Sequence, residues 1–90
     1  MTTRHVIAAG QFRKDVKLAK KRHYDMGKLR DAIELLVRAT ALPTGYRDHA
    51  LSGNWKHFPE CHIEPDWLLI YKIEGEDLQL VRTGTHADLF

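Results

Sequence analysis

Seven consecutive residues, 67–73 (WLLIYKI), are apolar apart from one lysine and show no alternation. A half-exposed strand alternates, and an amphipathic helix repeats every 3.6 residues. An unbroken apolar run this short, bounded by turn residues, reads as a central strand covered on both sides. In a chain of 90 residues that leaves little freedom. A domain of this size buries only about 60–65% of the surface its unfolded form exposes. It holds one small core and little room for an enclosed pocket, so a large substrate lying across an open face suits it better. The chain reads as a single domain over residues 1–90.

The flanking segments supply the partners of that strand. Residues 58–64 read as one strand, with Pro59 marking an edge or a bulge at its start. Glu64-Pro65-Asp66 turns the chain before the apolar run, and Glu74-Gly75-Glu76-Asp77 makes a hairpin turn after it. Residues 78–83 form the last strand, and the tail 84–90 has the makings of one helical turn. Towards the other end, residues 4–9 read as a short strand. Phe12, Val16, Ala19 and His23 then recur at helical spacing. Asp25 is placed to cap a second helix running to about Thr40, with Leu29, Ile33, Leu36 and Val37 on its buried face. Leu42-Pro43 ends it. A loop of about fifteen residues, 43–57, follows, and a loop that long in so small a domain is more often functional than filler. The order is β-α-α-β-β-β, an α+β fold with a helical hairpin packed on one face of a mostly antiparallel sheet.

Charge is unevenly placed. The chain carries +2 overall, yet residues 13–22 (RKDVKLAKKR) hold six of the fourteen Lys and Arg and a single acid, Asp15. A local basic cluster on a nearly neutral chain is either a polyanion footprint or a solvated helix face. No apolar run approaches the ~18 residues that span a bilayer, and no secretory leader is visible at Met1. One cysteine, Cys61, excludes an internal disulfide and fits a reducing cytoplasm.

Three histidines stand apart from the helices: His49 in the long loop, His62 on a strand and His86 after the last strand. Asp66 follows His62 across a turn, and Tyr46, Trp55, Trp67 and Phe90 accompany them. Histidine takes and gives protons near neutral pH. RNA brings its own nucleophile, the 2′-hydroxyl. Its cleavage needs a base for that hydroxyl, an acid for the departing 5′-oxygen and positive charge near the phosphate. Two or three histidines suffice for that without a metal, and aromatic faces hold unstacked bases. A zinc site is the competing use. However, Cys61 and His62 are adjacent on a strand and point to opposite faces, and no Cys-x-x-Cys or His-x-x-x-His spacing occurs. The expectation is no metal and no cofactor.

Three ordered blocks carry a further signal: residues 46–55 (YRDHALSGNW), 62–71 (HIEPDWLLIY) and 82–90 (RTGTHADLF), preceded by 12–17 (FRKDVK). Together they resemble the YafQ branch of the RelE/ParE toxin superfamily over nearly the whole chain. The resemblance implies a RelE-like, microbial-ribonuclease-like fold and a cytoplasmic toxin of a type II toxin–antitoxin system. It implies an endoribonuclease, an mRNA interferase, that enters the ribosomal A site, cleaves the message there and halts translation. Products would be a 2′,3′-cyclic phosphate or 3′-phosphate and a 5′-hydroxyl. The implied partners are the ribosome with its ribosomal RNA, mRNA, and a cognate antitoxin, DinJ-like and of the ribbon-helix-helix type. Operator DNA would be met only through the antitoxin complex.

Carried over by position, His49, His62, Asp66 and His86 match the family's catalytic or substrate-contacting residues, and Trp67 and Phe90 match aromatic positions near the same site. His86 is favoured as the general acid–base, with Asp66 or His62 as its partner and His49 contacting the phosphate. Arg82 either stabilises charge or ties down the C-terminal tail. Lys14, Lys17, Lys20 and Lys21 would grip ribosomal RNA phosphates. Two other functions fit the same fold: a ParE-like DNA gyrase inhibitor, for which proton-transfer groups have no use, and a non-catalytic RNA-binding module.

Overall fold

A computed structural model of the chain describes residues 3–38, 49–50 and 59–90, without the side chains of 49 and 50. Its elements run β1 (His5–Ala8), α1 (Gly10–Lys21), α2 (Met26–Val37), β2 (His49–Ala50), β3 (Pro59–Glu64), β4 (Trp67–Glu74), β5 (Asp77–Gly84) and α3 (His86–Leu89). The strands form one sheet in the order β1-β5-β4-β3-β2, in which only the β1–β5 pairing is parallel. This is the expected α+β architecture, with one addition. The two-residue strand β2 lies within the stretch read as an uninterrupted loop and adds an edge beside β3. Tyr46 and Trp55 from that stretch, and Thr40, lie outside the described residues.

β4 is the central strand, and residues Trp67 to Tyr71 are all buried. Trp67, Leu69 and Tyr71 pack with Phe12 and Ala19 of α1 and with Leu29, Ala32 and Leu36 of α2. Leu68 and Ile70 point the other way, against Leu89 of α3 and Val81. Both faces of the strand are therefore covered, one by two helices and the other by a single helical turn. Leu68, Leu69 and Ile70 are fully buried, and burying each such side chain stabilises the fold by about 1.5–3 kcal/mol.

The helices follow their apolar spacing, with two refinements. Asp25 caps α2 as expected, its carboxylate accepting from the Gly27 N–H at 2.9 Å. α1 ends earlier than its spacing suggested. His23 sits at φ 62°, and the Tyr24 N–H donates back to the Ala19 carbonyl at 3.0 Å. This left-handed residue closes the helix, so the fourth position of the expected apolar face lies beyond it and is exposed. The buried face of α1 instead includes Asp15, which falls three residues after Phe12 and four before Ala19.

No helix among the described residues is long and apolar enough to cross a membrane.

Candidate active site

The face of the sheet away from α1 and α2 brings His62 and His86 together. Alternation along β3 sends Cys61 and Ile63 to the helix side and His62 to the other. The register pairs His62 with Leu68, and an irregularity between His62 and Glu64 shifts the following pair to Glu64 and Trp67. Leu68, not Trp67, therefore shares a face with His62. The turn after β3 presents Asp66. From the next strand over, β5 runs to Gly84, and α3 begins with His86 as its first residue.

Local sequence explains the start of α3. Thr85 and Asp88 form a capping box: the Thr85 hydroxyl accepts from the Asp88 N–H at 3.2 Å, and the Asp88 carboxylate accepts from the Thr85 N–H at 2.9 Å. Gly84 leaves room for them: a Cβ there would lie 3.0 Å from the Asp88 side chain, which would have to give by a few tenths of an ångström.

Asp66 and His86 form a close pair on this face. One carboxylate oxygen, Oδ1, accepts from the His86 backbone N–H at 2.9 Å and from the ring Nδ1 at 2.6 Å. The backbone bond first, and the ring bond after it, hold the Asp66 carboxyl below the usual aspartate range, so it is ionised at neutral pH. With Nδ1 donating to Asp66, the ring is fixed in orientation and Nε2 remains to meet a substrate. The His86 side chain is 53% exposed. The His62 ring lies 5.8 Å from it, centroid to centroid and edge-on, and the Phe90 ring 6.2 Å away on an exposed side chain.

His62 is more enclosed, at 12% exposure. Its Nε2 stands 3.3 Å from Oε1 of Glu60, which is only 4% exposed. The reading of the sequence did not single out Glu60. Its signal was the period of two along β3, which puts Glu60 and His62 on one face. A cleft of about 460 Å³ reaches Asp66 from the side of Tyr24, Glu64, Pro65 and Thr85.

Four of the expected residues, His62, Asp66, His86 and Phe90, are thus brought together. For His49, the register sets its backbone opposite Glu60; its side chain lies outside the described residues. Two expectations are corrected. Trp67 is not a base platform: it is 2% exposed on the helix side, with its ring 5.0 Å from Tyr24 and its indole N–H donating to the Thr83 hydroxyl at 2.9 Å. Arg82 neither faces the histidines nor ties down the tail. Its guanidinium bridges to Asp15 of α1 at 2.7 and 3.2 Å, and Asp15 also accepts from the Thr83 N–H at 3.1 Å. Lys14, Lys17, Lys20 and Lys21 are exposed on α1. Among the described residues, no three His, Cys, Asp or Glu side chains are grouped to hold a metal ion.

An ionised carboxylate orients one imidazole, with a second imidazole alongside on an open face, and the three residues come from the second and third blocks of the sequence. The model of the YafQ family, described as a bacterial toxin of a type II toxin–antitoxin system, matches residues 4–90. The chain belongs to the YafQ family of toxins. It is 52% identical over 91 residues to the mRNA interferase toxin YafQ of Escherichia coli strain K12, covering 100% of this chain and 99% of that one. The solved structure of YafQ from Escherichia coli strain BL21(DE3) superposes with a TM-score of 0.91 at 51% identity, over 97% of this chain and 98% of that one. YafQ in the Escherichia coli DinJ–YafQ toxin–antitoxin complex does so at 0.89 and 50% identity, over 98% of both chains. As a YafQ-family member, this chain is the toxin component of a type II toxin–antitoxin system, with a fold shared across its length.

Proposed function

We propose that this YafQ-family toxin is an endoribonuclease that cleaves messenger RNA in the ribosomal A site, acting as one domain in the cytoplasm. The observation that carries the reading is the 2.6 Å contact between Asp66 and His86 Nδ1 beside the His62 ring. His86 Nε2 exchanges a proton with the reacting RNA, and ionised Asp66 holds the ring and stabilises it when it carries the extra proton. His62 is the second imidazole at the scissile phosphate, and Phe90 offers a face for an unstacked base. Attack by the 2′-hydroxyl leaves a 2′,3′-cyclic phosphate and a 5′-hydroxyl. The lysines of α1 hold ribosomal RNA phosphates. A cognate antitoxin of the DinJ kind, as in the solved Escherichia coli complex, is the partner that restrains it.

Brief expression followed by mapping of transcript ends tests the reading. New 5′-hydroxyl ends confined to translated frames are expected. Intact messages, or DNA damage in place of RNA cuts, would overturn it.

A further inference from the structure

Arg22 belongs to the basic stretch of the sequence, where it reads as one more cation for nucleic acid. Its contacts point elsewhere. Nη1 donates to Asp88 Oδ2 at 2.6 Å and Nη2 to Asp88 Oδ1 at 3.1 Å, a two-pronged pair between residues 66 positions apart. The same Asp88 accepts from the Thr85 N–H and so caps α3. The next amide along, that of His86, is held by Asp66. Two carboxylates thus fix two successive amides at the point where His86 leaves the sheet, and Arg22 holds one of those carboxylates.

The need for such a hold follows from the tail itself. α3 is four residues long, far short of the length at which a helix persists unaided. Leu89 is its one buried residue, so polar contacts must set its position. Arg22 is the residue that ends α1, and α1 is anchored by Phe12 and Ala19 in the core and by Asp15 on β5. A planar guanidinium matched to a carboxylate fixes direction as well as distance. The Arg22 guanidinium is pushed well above its usual range and the Asp88 carboxyl well below it, each chiefly by the hydrogen bond to the other.

We infer that Arg22, through Asp88, is a positioning residue for His86: it transmits the rigidity of α1 to the tail that carries the reacting imidazole. The inference rests on the nuclease reading above. It predicts an effect on the chemical step where a phosphate-gripping arginine would act on binding.

Single-turnover cleavage on programmed ribosomes, together with ribosome affinity across a salt series, separates the two. Arg22→Gln and Asp88→Asn should each slow cleavage of the bound message by about 10-fold, since a displacement of ~1 Å at a reacting group can cost up to ~10²-fold. Ribosome affinity and its salt slope should stay at the parent's values. The double variant should be no slower than either single one, and Arg22→Lys should recover part of the loss. Weaker binding and a flatter salt slope at an unchanged bound-state rate for Arg22→Gln would overturn the assignment, as would full-rate cleavage by Asp88→Asn. Should the parent itself fail to cleave, the nuclease reading falls, and the anchor is judged on the free protein. The His86 backbone amide, bonded to Asp66 at 2.9 Å, should exchange with solvent more slowly in the parent than in Arg22→Gln; an unchanged exchange rate would contradict the anchor.

Discussion

Asp15–Arg82 and Asp66–His86 both pair a carboxylate with a side-chain nitrogen, at 2.7 and 2.6 Å, yet they do different work. The first lies on the helix side, where Asp15 is 8% exposed. Every prong of it is engaged: Asp15 accepts from Arg82 and from the Thr83 amide, while the Thr83 hydroxyl donates to the Leu68 carbonyl and accepts from Trp67. Such a closed network locks α1 to the sheet. The second lies on the open face, more than half exposed on both partners, with one ring nitrogen left for a substrate. Distance does not tell a structural pair from a functional one. Access and a spare proton-transfer atom do.

That contrast can be broken from either side. The largest effect is expected on the open face, where His62→Ala should slow single-turnover cleavage by about 10²–10⁴-fold with ribosome binding retained; a rate near the parent's would remove His62 from the chemistry. On the helix side, Asp15→Ala strands the Arg82 guanidinium and should lower stability by about 3 kcal/mol in denaturant unfolding, with the rate per folded molecule preserved. If Asp15→Ala instead cost activity and no stability, the division between the faces would fail. Lys17→Ala/Lys21→Ala should leave bound-state cleavage alone and make the salt slope of ribosome binding shallower by about 1.5, at roughly 0.7–0.9 for each phosphate contact. An unchanged slope would mean that these lysines are merely solvated.

The smallest effect is in acid. Asp66 and Asp88 both have carboxyls held below the ordinary aspartate value of 3.8 in the folded chain. For a depressed carboxyl, the stabilising contribution is full above the unfolded value and is lost as pH falls through the folded one. The tail contacts should therefore survive pH 4 and be released only in stronger acid. The Leu89 and Phe90 amides, bonded to the Thr85 and His86 carbonyls, report this by hydrogen exchange, and release well above pH 4 would contradict the assigned contacts.

Much of this was legible in the sequence. The unbroken apolar run fixed β4 as the central strand, helical spacing gave α1 and α2, and Asp25 announced its cap. The convergence of His62, Asp66 and His86 came from family resemblance, because no spacing rule connects residues on different strands. What sequence hid has physical reasons. Trp67 opens an apolar run whose two faces look alike, so only the shift after His62 decides that it faces the helices. Asp15 was visible as an acid on the apolar side of α1, and a buried carboxylate demands a cation, but the period could not say that Arg82 would supply it. Arg22 looked like its basic neighbours until the tail folded against it.

The central claim is that an imidazole held by Asp66 performs proton transfer on RNA. The most direct measurement is single-turnover cleavage of ribosome-bound message by the parent and by His86→Ala. Loss of about 10²–10⁴-fold with unchanged ribosome affinity, and 5′-hydroxyl ends from the parent, is the predicted result. Cleavage by His86→Ala at the parent's rate would contradict it.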